Sequence, residues 1–471
     1  MTAAAPTASA PRLRRPAPEI GRLARRDAAT RTGLVATLWL VLLLVTYWWV
    51  AGGGIQDLGS SGTDALMSLG RLTGLVGSAL LLVQVLLMAR VPVLERAYGQ
   101  DRLVRIHRLV GLTSFNLIVV HVVLITWAYA AGRLGATPAT LWDLTWNYPG
   151  MLLAVAGTLL IVLVVGTSIR VARRRLRYES WHLIHLYGYL GAGLALPHQL
   201  WTGHEFLAHP DATRLWWAAW AAVAATVLVY RVITPVGRTI RHGLRVAAVV
   251  PEAPGVLSVH LSGRRLDRLK AQPGQYFTWR FLDRDGWTRA NPFSLSAAPH
   301  DRMLRITVQN DGDGSASIAA LRPGQRVLIE GPYGRLTSRA RTRRKVALIG
   351  AGVGLAPIRA LAEGLGYAPG DAVLLQRYRT HQLFAAELTR LRERRGLALV
   401  AMPGRRRDDG SWVGDGYEGY SDVQVLLGWI PDLLQRDVYV CGPPAWTAAV
   451  RAAADLAGLP REQWHEEAFG W

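Results

Sequence analysis

Four histidines sit inside stretches that are otherwise hydrocarbon. His107 and His121 lie in RIHRLVGLTSFNLIVVHVVLI, and His185 and His198 in WHLIHLYGYLGAGLALPHQL. An ionisable side chain in a bilayer core is costly and marks a functional site by default. On a helix turning about 100° per residue, the step from His107 to His121 ends about 40° from the starting face and climbs about 21 Å. Two ligands on one helix at two depths suit two groups stacked across a core about 30 Å thick. The step from His185 to His198 leaves the rings about 140° apart on an ideal helix. A kink or rewinding at Pro197, or at Gly188, Gly191 and Gly193, is needed to realign them. Neutral imidazoles facing each other across a bundle are haem axial ligands, and a six-coordinate haem moves electrons without binding oxygen at the iron. Structural histidines bonded to neighbouring helices are the alternative reading. His182, one turn before His185, competes with it as a ligand.

The elements that must position these rings follow from composition. The 471 residues are 51% hydrophobic with a mean hydropathy of +0.17, which predicts a chain half membrane and half aqueous, with at least two domains. The net charge of +21 comes from arginines clustered in the N-terminal tail, beside the apolar runs and around later glycine motifs. Topology and phosphate binding explain that distribution, and nucleic acid does not. Cys441 is the single cysteine, which excludes internal disulfides and a four-cysteine iron-sulfur cluster. Residues 1–31 read as a disordered basic tail. Six spans follow, near 33–50, 66–89, 109–129, 151–169, 182–200 and 216–233. Arginines at 90, 96, 102 and 105, and at 170, 173, 174, 175 and 177, mark the inner loops. The positive-inside rule then predicts both termini in the cytoplasm. Spans three and five run outward together, so His107 and His185 share the inner level while His121 and His198 share the outer.

Beyond Gly237 short alternating strands broken by Gly and Pro predict an antiparallel β-barrel, residues 241–340. Within it RANPFSLS, GDGS and GPYG offer glycine-rich turns and hydroxyls suited to a pyrophosphate. Their alternative is ordinary hairpin turns. Next, KVALIGAGVGLAPIRAL is an apolar strand, a glycine turn at Gly350, Gly352 and Gly354, and a helix with an early Pro357. Backbone amides and a helix N-terminus so arranged receive a diphosphate. The strands AVLLQRYR and LALVAM and the stretch DVYVCGPPAW, with helices between, predict an α/β parallel sheet over 341–471. Arg377 and Arg379 fall at a strand end, where a guanidinium can clamp a 2′-phosphate. The chain ends EEAFGW, with two aromatics able to cover a flavin ring.

In this order of parts the chain resembles the ferric reductase and NADPH oxidase superfamily, over about residues 33–471. That family spaces its ligands 14 residues apart on the third span and 13 on the fifth, which His107, His121, His185 and His198 match. Glu179, six residues before His185, favours His185 over His182. The resemblance implies two b-type haems, FAD and NADPH (or NADH) as cofactors, in a plasma membrane protein. It implies flavin contacts at Asn291, Pro292, Phe293, Ser294, Gly314 and Ser315, with Asn291 standing where the family has Arg or His. It further implies a nucleotide and hydride path along Gly350, Gly352, Gly354, Pro357, Cys441, Gly442 and Pro443, with Cys441 and Phe469 at the reacting ring. Trp471 competes with Phe469 for the flavin. The activity so implied is electron transfer from cytoplasmic NAD(P)H to an outer acceptor, a ferric chelate or dioxygen. A membrane subunit that hands electrons to a partner protein is the rival reading.

Overall fold

The computed structural model describes residues 20–176, 178–282, 290–309 and 318–468. It divides into two compact units, residues 29–234 and residues 1–28 with 235–471.

The first unit is helical: α1 (Arg22–Ala51), α2 (Gly62–Leu87), α3 (Gln100–Tyr129), α4 (Met151–Ser168), α5 (Tyr178–Leu194), α6 (Leu196–Thr202) and α7 (Pro210–Leu228), with shorter helices between. Among the described residues five helices are long and apolar enough to cross a membrane, namely α1 to α4 and the run Pro210–His242 that contains α7. The fifth expected span is not among them. That segment is a helix of 17 residues, α5, followed after Ala195 by the seven-residue α6. The physical cause is Pro197, which has no amide hydrogen to donate and so is tolerated only in the first turn of a new helix. Pairing in this unit is tight where glycines remove side chains. Gly157 of α4 and Gly191 of α5 approach so closely that a Cβ on Gly157 would lie 2.6 Å from the Gly191 carbonyl. One correction concerns the tail, since α1 begins at Arg22, inside the stretch expected to be disordered. Residues 22–31 are mostly Ala, Arg, Leu and Thr, and they simply prolong the first span.

The second unit begins with α8 (Thr234–His242) and then forms strands β1 (Arg245–Ala253), β2 (Val256–Ser262), β3 (Tyr276–Phe281), β4 (Asn291–Ser294), β5 (Met303–Gln309) and β6 (Val327–Tyr333). Two antiparallel three-stranded sheets result, ordered β1-β2-β5 and β4-β3-β6. The expected closed barrel is therefore not present among the described residues. Register shifts in the β1–β2 and β3–β6 pairs interrupt the ladders, and the sheets meet only at isolated bridges such as Leu295 with Ile306. Both sheets bury one face in a shared core around Phe277, Trp279, Phe281, Ile306 and Ile329.

The nucleotide half is the predicted parallel sheet. It comprises β7 (Lys345–Ala351), β8 (Ala372–Arg377), β9 (Ala398–Met402), β10 (Arg436–Gly442) and β11 (Trp464–Ala468), in spatial order β11-β10-β7-β8-β9. Helices α9 (Leu355–Gly364), α10 (Ala385–Arg395), α11 (Asp422–Trp429) and α12 (Pro444–Leu456) connect them. Both faces of β7 are covered, Ala347 and Ile349 packing in one core and Val346 and Leu348 in the other. That accounts for its unbroken apolar sequence.

Candidate cofactor and nucleotide sites

In the helical unit the four predicted histidines come together as two pairs. The rings of His107 and His185 have centroids 6.0 Å apart, and those of His121 and His198 are 6.3 Å apart. It is His185, not His182, that faces His107. A metal–imidazole bond of about 2.0 Å, with the ring centre about 1.1 Å beyond the nitrogen, puts two trans imidazole centroids about 6.2 Å apart. Both pairs have the spacing of two rings sharing one metal.

Each ring is oriented through its other nitrogen. His107 Nδ1–H donates to the Gln84 carbonyl at 3.2 Å, His121 to the Gly70 carbonyl at 2.7 Å, and His198 to the Ala195 carbonyl at 2.7 Å. Ser168 donates its hydroxyl to the Val164 carbonyl, so its oxygen accepts from His185 Nδ1 at 3.3 Å and from the Trp181 indole at 3.3 Å. All four networks fix the proton on Nδ1 and leave the Nε2 lone pair as the donor, the arrangement that metal-binding histidines use. The break at Ala195 now has a purpose beyond rewinding, because it exposes the carbonyl that holds His198. Gly74 makes room for His121, since a Cβ there would fall 2.6 Å from His121 Nδ1. Among the described residues no group of three or more His, Cys, Asp or Glu could hold a metal ion. Two imidazoles per level are a donor set that would suit a metal bringing its own equatorial ligands, as haem does.

In the other unit the strand order dictates where a ligand sits. From β7 the chain steps to β8 and β9 on one side, then crosses to β10 on the other, so the switch point lies between β7 and β10. Ligands of open α/β sheets bind at the carboxyl ends of the strands there. Gly350 is paired with Cys441 across that junction. Gly352, at φ +54, is exposed, and Gly354 leads into α9, where Pro357 is buried. A Cβ on Gly354 would lie 2.5 Å from the Cys441 carbonyl, so the glycine turn rests directly on the CGP backbone. Gly442 is buried under Trp446 and Pro443 is exposed beside it. Cys441 is itself fully buried, its thiol donating to the Glu467 carbonyl at 3.5 Å. Burial, with the Glu467 carboxyl added, pushes that thiol well above its ordinary pKa. It is a protonated thiol at the carboxyl end of an interior strand.

The flavin residues fall on β4. Registers pair Ser294 with Tyr276 and Tyr276 with Tyr333, placing all three in one row across β4-β3-β6. The two tyrosine rings are 5.8 Å apart. Ser294 Oγ is buried without a hydrogen-bond partner, an orphan hydroxyl of the kind a bound ligand completes. Asn291 instead faces its strand neighbour and donates to the Trp279 carbonyl. Phe293 and Pro292 are half-buried. Gly314, Ser315 and Phe469 lie outside the described residues.

Arg377, expected at the 2′-phosphate, is engaged by the protein itself. Its guanidinium donates to the carbonyls of Tyr378, Met402 and Gly404 at 2.6, 3.1 and 2.7 Å, and it is buried. It locks the ends of β8 and β9 together. Arg379, two residues on, is exposed. Sequence reasoning also missed Tyr276 and Tyr333, which alternation on neighbouring strands could have found, and a buried clamp between the sheets. In that clamp Arg305 grips Glu387 through two bonds of 2.7 and 3.0 Å, and Arg359 reaches the same carboxylate at 2.6 Å. Burial opposes ionisation of Glu387, but the Arg305 hydrogen bonds and the two arginine charges win and hold its pKa below the ordinary value.

Comparison with known proteins agrees with this division. Residues 73–196 match the family model of the ferric reductase like transmembrane component, and residues 348–452 match the oxidoreductase NAD-binding domain. The glycine betaine monooxygenase reductase subunit of Pseudomonas aeruginosa is 26% identical over 239 residues, 49% of this chain and 64% of that protein. The flavohemoprotein of Pseudomonas putida is 29% identical over 214 residues, 43% of this chain and 52% of that protein. This chain thus spans less than two-thirds of the length of either relative. Among solved structures, the flavohem-like FAD/NAD-binding domain of nitric oxide dioxygenase from Vibrio cholerae is 24% identical, covering 49% of this chain and 99% of that domain with a TM-score of 0.39. The chain thus joins a region that matches the ferric reductase like transmembrane component to one that matches the oxidoreductase NAD-binding domain, and its carboxyl-terminal half is similar to reductase subunits.

Proposed function

We propose that this membrane oxidoreductase takes electrons from NAD(P)H on the cytoplasmic side of a bacterial plasma membrane and delivers them to an acceptor on the outer side. The observation that carries the reading is the pair of imidazole couples, each spaced for one shared metal with its Nδ1 protons already engaged. Flavin and haem, when bound, turn a two-electron hydride donor into single electrons that can travel. The chain's part is to hold and orient. His107 with His185 keeps one haem at the inner level, and His121 with His198 keeps the second at the outer level. Gly350, Gly352 and Gly354 present backbone amides and the α9 N-terminus to the nucleotide diphosphate. Ser294 supplies a hydroxyl to the flavin, with Tyr276 and Tyr333 in the same row. Cys441, neutral and buried, puts no negative charge beside an incoming hydride. Arg379, rather than Arg377, is the candidate for the 2′-phosphate that would favour NADPH.

A ferric chelate is the acceptor we favour, because His204 is exposed on the short helix His204–Ala208, in the stretch read as an outer connection. Sealed right-side-out vesicles loaded with NADPH, with an impermeant ferric chelate outside, test both acceptor and direction. Reduction outside that survives oxygen removal and superoxide dismutase is expected. Reduction only after detergent would refute the outward path, and strict oxygen dependence would make dioxygen the acceptor. A second reading, electron delivery to a partner protein, draws support from relatives described as reductase subunits. It predicts slow turnover with every small acceptor.

A further inference from the structure

We propose that the basic surface around the end of α8 binds the anionic lipid headgroups of the membrane that this chain spans. One face of α8 is seated on the neighbouring strands. Arg238 donates to the Gly331 carbonyl, Thr239 Oγ1 accepts from the Ile329 amide at 3.3 Å, and His242 is buried. At about 100° per residue, Ile240 lies at least about 100° from all three, and Val236 lies on the same side as Ile240, about 120–160° from Arg238 and His242. Both are exposed, at 52% and 69%, so α8 presents an apolar stripe that nothing in this unit covers.

Positive charge surrounds that stripe. Arg241 is exposed. The turn that follows β2 is tied to the helix end by three bonds: the Arg264 amide to the His242 carbonyl at 2.8 Å, His242 Nδ1 to the Arg264 carbonyl at 3.0 Å, and the Arg264 guanidinium to the Ile240 carbonyl at 3.4 Å. The same turn carries Arg265, Arg268 and Lys270, all exposed. Its acidic neighbours are Asp267 and Asp301, and Asp301 is paired with His300. Alongside, Arg245 bridges directly opposite Arg326. Like charges so placed repel, and a bound anion relieves the repulsion.

An apolar stripe flanked by arginine and lysine is what an interfacial helix offers a bilayer. The helical run Pro210–His242, which ends in α8, contains an 18-residue window apolar enough to cross a membrane. Each basic side chain near an anionic leaflet contributes about fivefold in association.

The test uses the full-length holoprotein in nanodiscs of phosphatidylcholine alone or with one-third phosphatidylglycerol, read by amide hydrogen exchange over residues 236–244 and 263–270. Exchange should be at least about fivefold slower in the anionic discs, and 0.5 M salt, on the order of a threefold or greater rise over physiological ionic strength, should erase the difference. Combining Arg241→Gln, Arg265→Gln and Arg268→Gln should abolish the slowing while leaving exchange in neutral discs as it was. Equal exchange of the unaltered protein in both discs, or slowing that survives salt or the triple substitution, overturns the proposal. Slowing by inorganic phosphate in neutral discs would make this a soluble-anion site and would also overturn it.

Discussion

The two candidate sites hold their ligands with opposite parts of the chain. In the helical unit the contacts are side chains, four imidazoles each with a set orientation, and the backbone serves only to hold them through the carbonyls of Gly70, Gln84 and Ala195. In the nucleotide half the contacts are backbone: a glycine turn, a helix N-terminus and the CGP strand end. A side-chain site fails one ligand at a time. A backbone site fails when any atom is added to it.

The sharpest way to break this contrast is at the histidines. His121→Leu or His198→Leu should remove one haem of two and leave the inner one, and His107→Leu or His185→Leu should do the reverse, with haem per chain counted by pyridine haemochrome. His182→Leu should leave the count at two. Two haems retained in both outer-pair variants would end the assignment.

Next in size is a comparison between glycines. An added methyl at Gly354 would meet the Cys441 backbone at 2.5 Å, whereas at Gly74 it would meet the His121 ring at 2.6 Å. Backbone cannot step aside as a ring can. Overpacking of this kind costs about 1–3 kcal/mol, so Gly354→Ala should weaken nucleotide binding about tenfold or more by equilibrium titration. Gly74→Ala should instead tilt His121 and shift the haem spectrum while keeping most of the haem. Gly352→Ala separates conformation from crowding, because its Cβ would meet no protein atom within 4 Å and only the positive φ works against it. Nucleotide affinity unchanged in Gly354→Ala would mean that the turn does not approach its ligand as described.

What was legible in the sequence follows the same division. Histidine types and spacing gave the pairs, and Pro197 announced the break that realigns His198. The carbonyls that orient the rings were invisible, since every residue carries one. On the other side the glycine motif and the CGP stretch were readable and fall together. Arg377 and Arg379 look equivalent in a string, but β8 ends at the buried Arg377, and Arg379 lies beyond it in an exposed turn. Continuous ladders do not close the two sheets into one barrel, and the bulges and isolated bridges at their seams depend on local register, which composition does not encode. The Arg305–Glu387–Arg359 clamp joins residues far apart in the chain and carries no local pattern.

Exchange of the two strand-end arginines sharpens the comparison further. Loss of a charge-assisted contact of about 1.5–3 kcal/mol predicts that Arg379→Ala lowers kcat/KM for NADPH about tenfold or more and leaves NADH nearly unchanged. Arg377→Ala should lower the melting temperature, since three carbonyls lose their donor, and should affect both nucleotides alike. Equal kcat/KM for the two nucleotides in the native protein would remove the phosphate role from Arg379.

The smallest expected effect is on acid stability, and it separates the clamp from the redox sites. Glu387 has a folded pKa below its unfolded value because Arg305 and Arg359 favour the carboxylate. A lowered carboxylate pKa adds stability that is complete above the unfolded value, about 4.3, and is lost as pH falls through the folded one. Between pH 5.5 and 8, that is from about one unit above the unfolded value upward, Glu387 should therefore contribute no slope to the melting temperature of the flavin and nucleotide unit. Below that value the melting temperature should fall, and Glu387→Gln should lower it at neutral pH and flatten the acid limb. Haem binding should not follow, because the imidazole pairs and the clamp belong to different units. A native-like acid limb in Glu387→Gln would show that another carboxylate governs it, and loss of haem in that variant would show that the side-chain site and the backbone site are not independent.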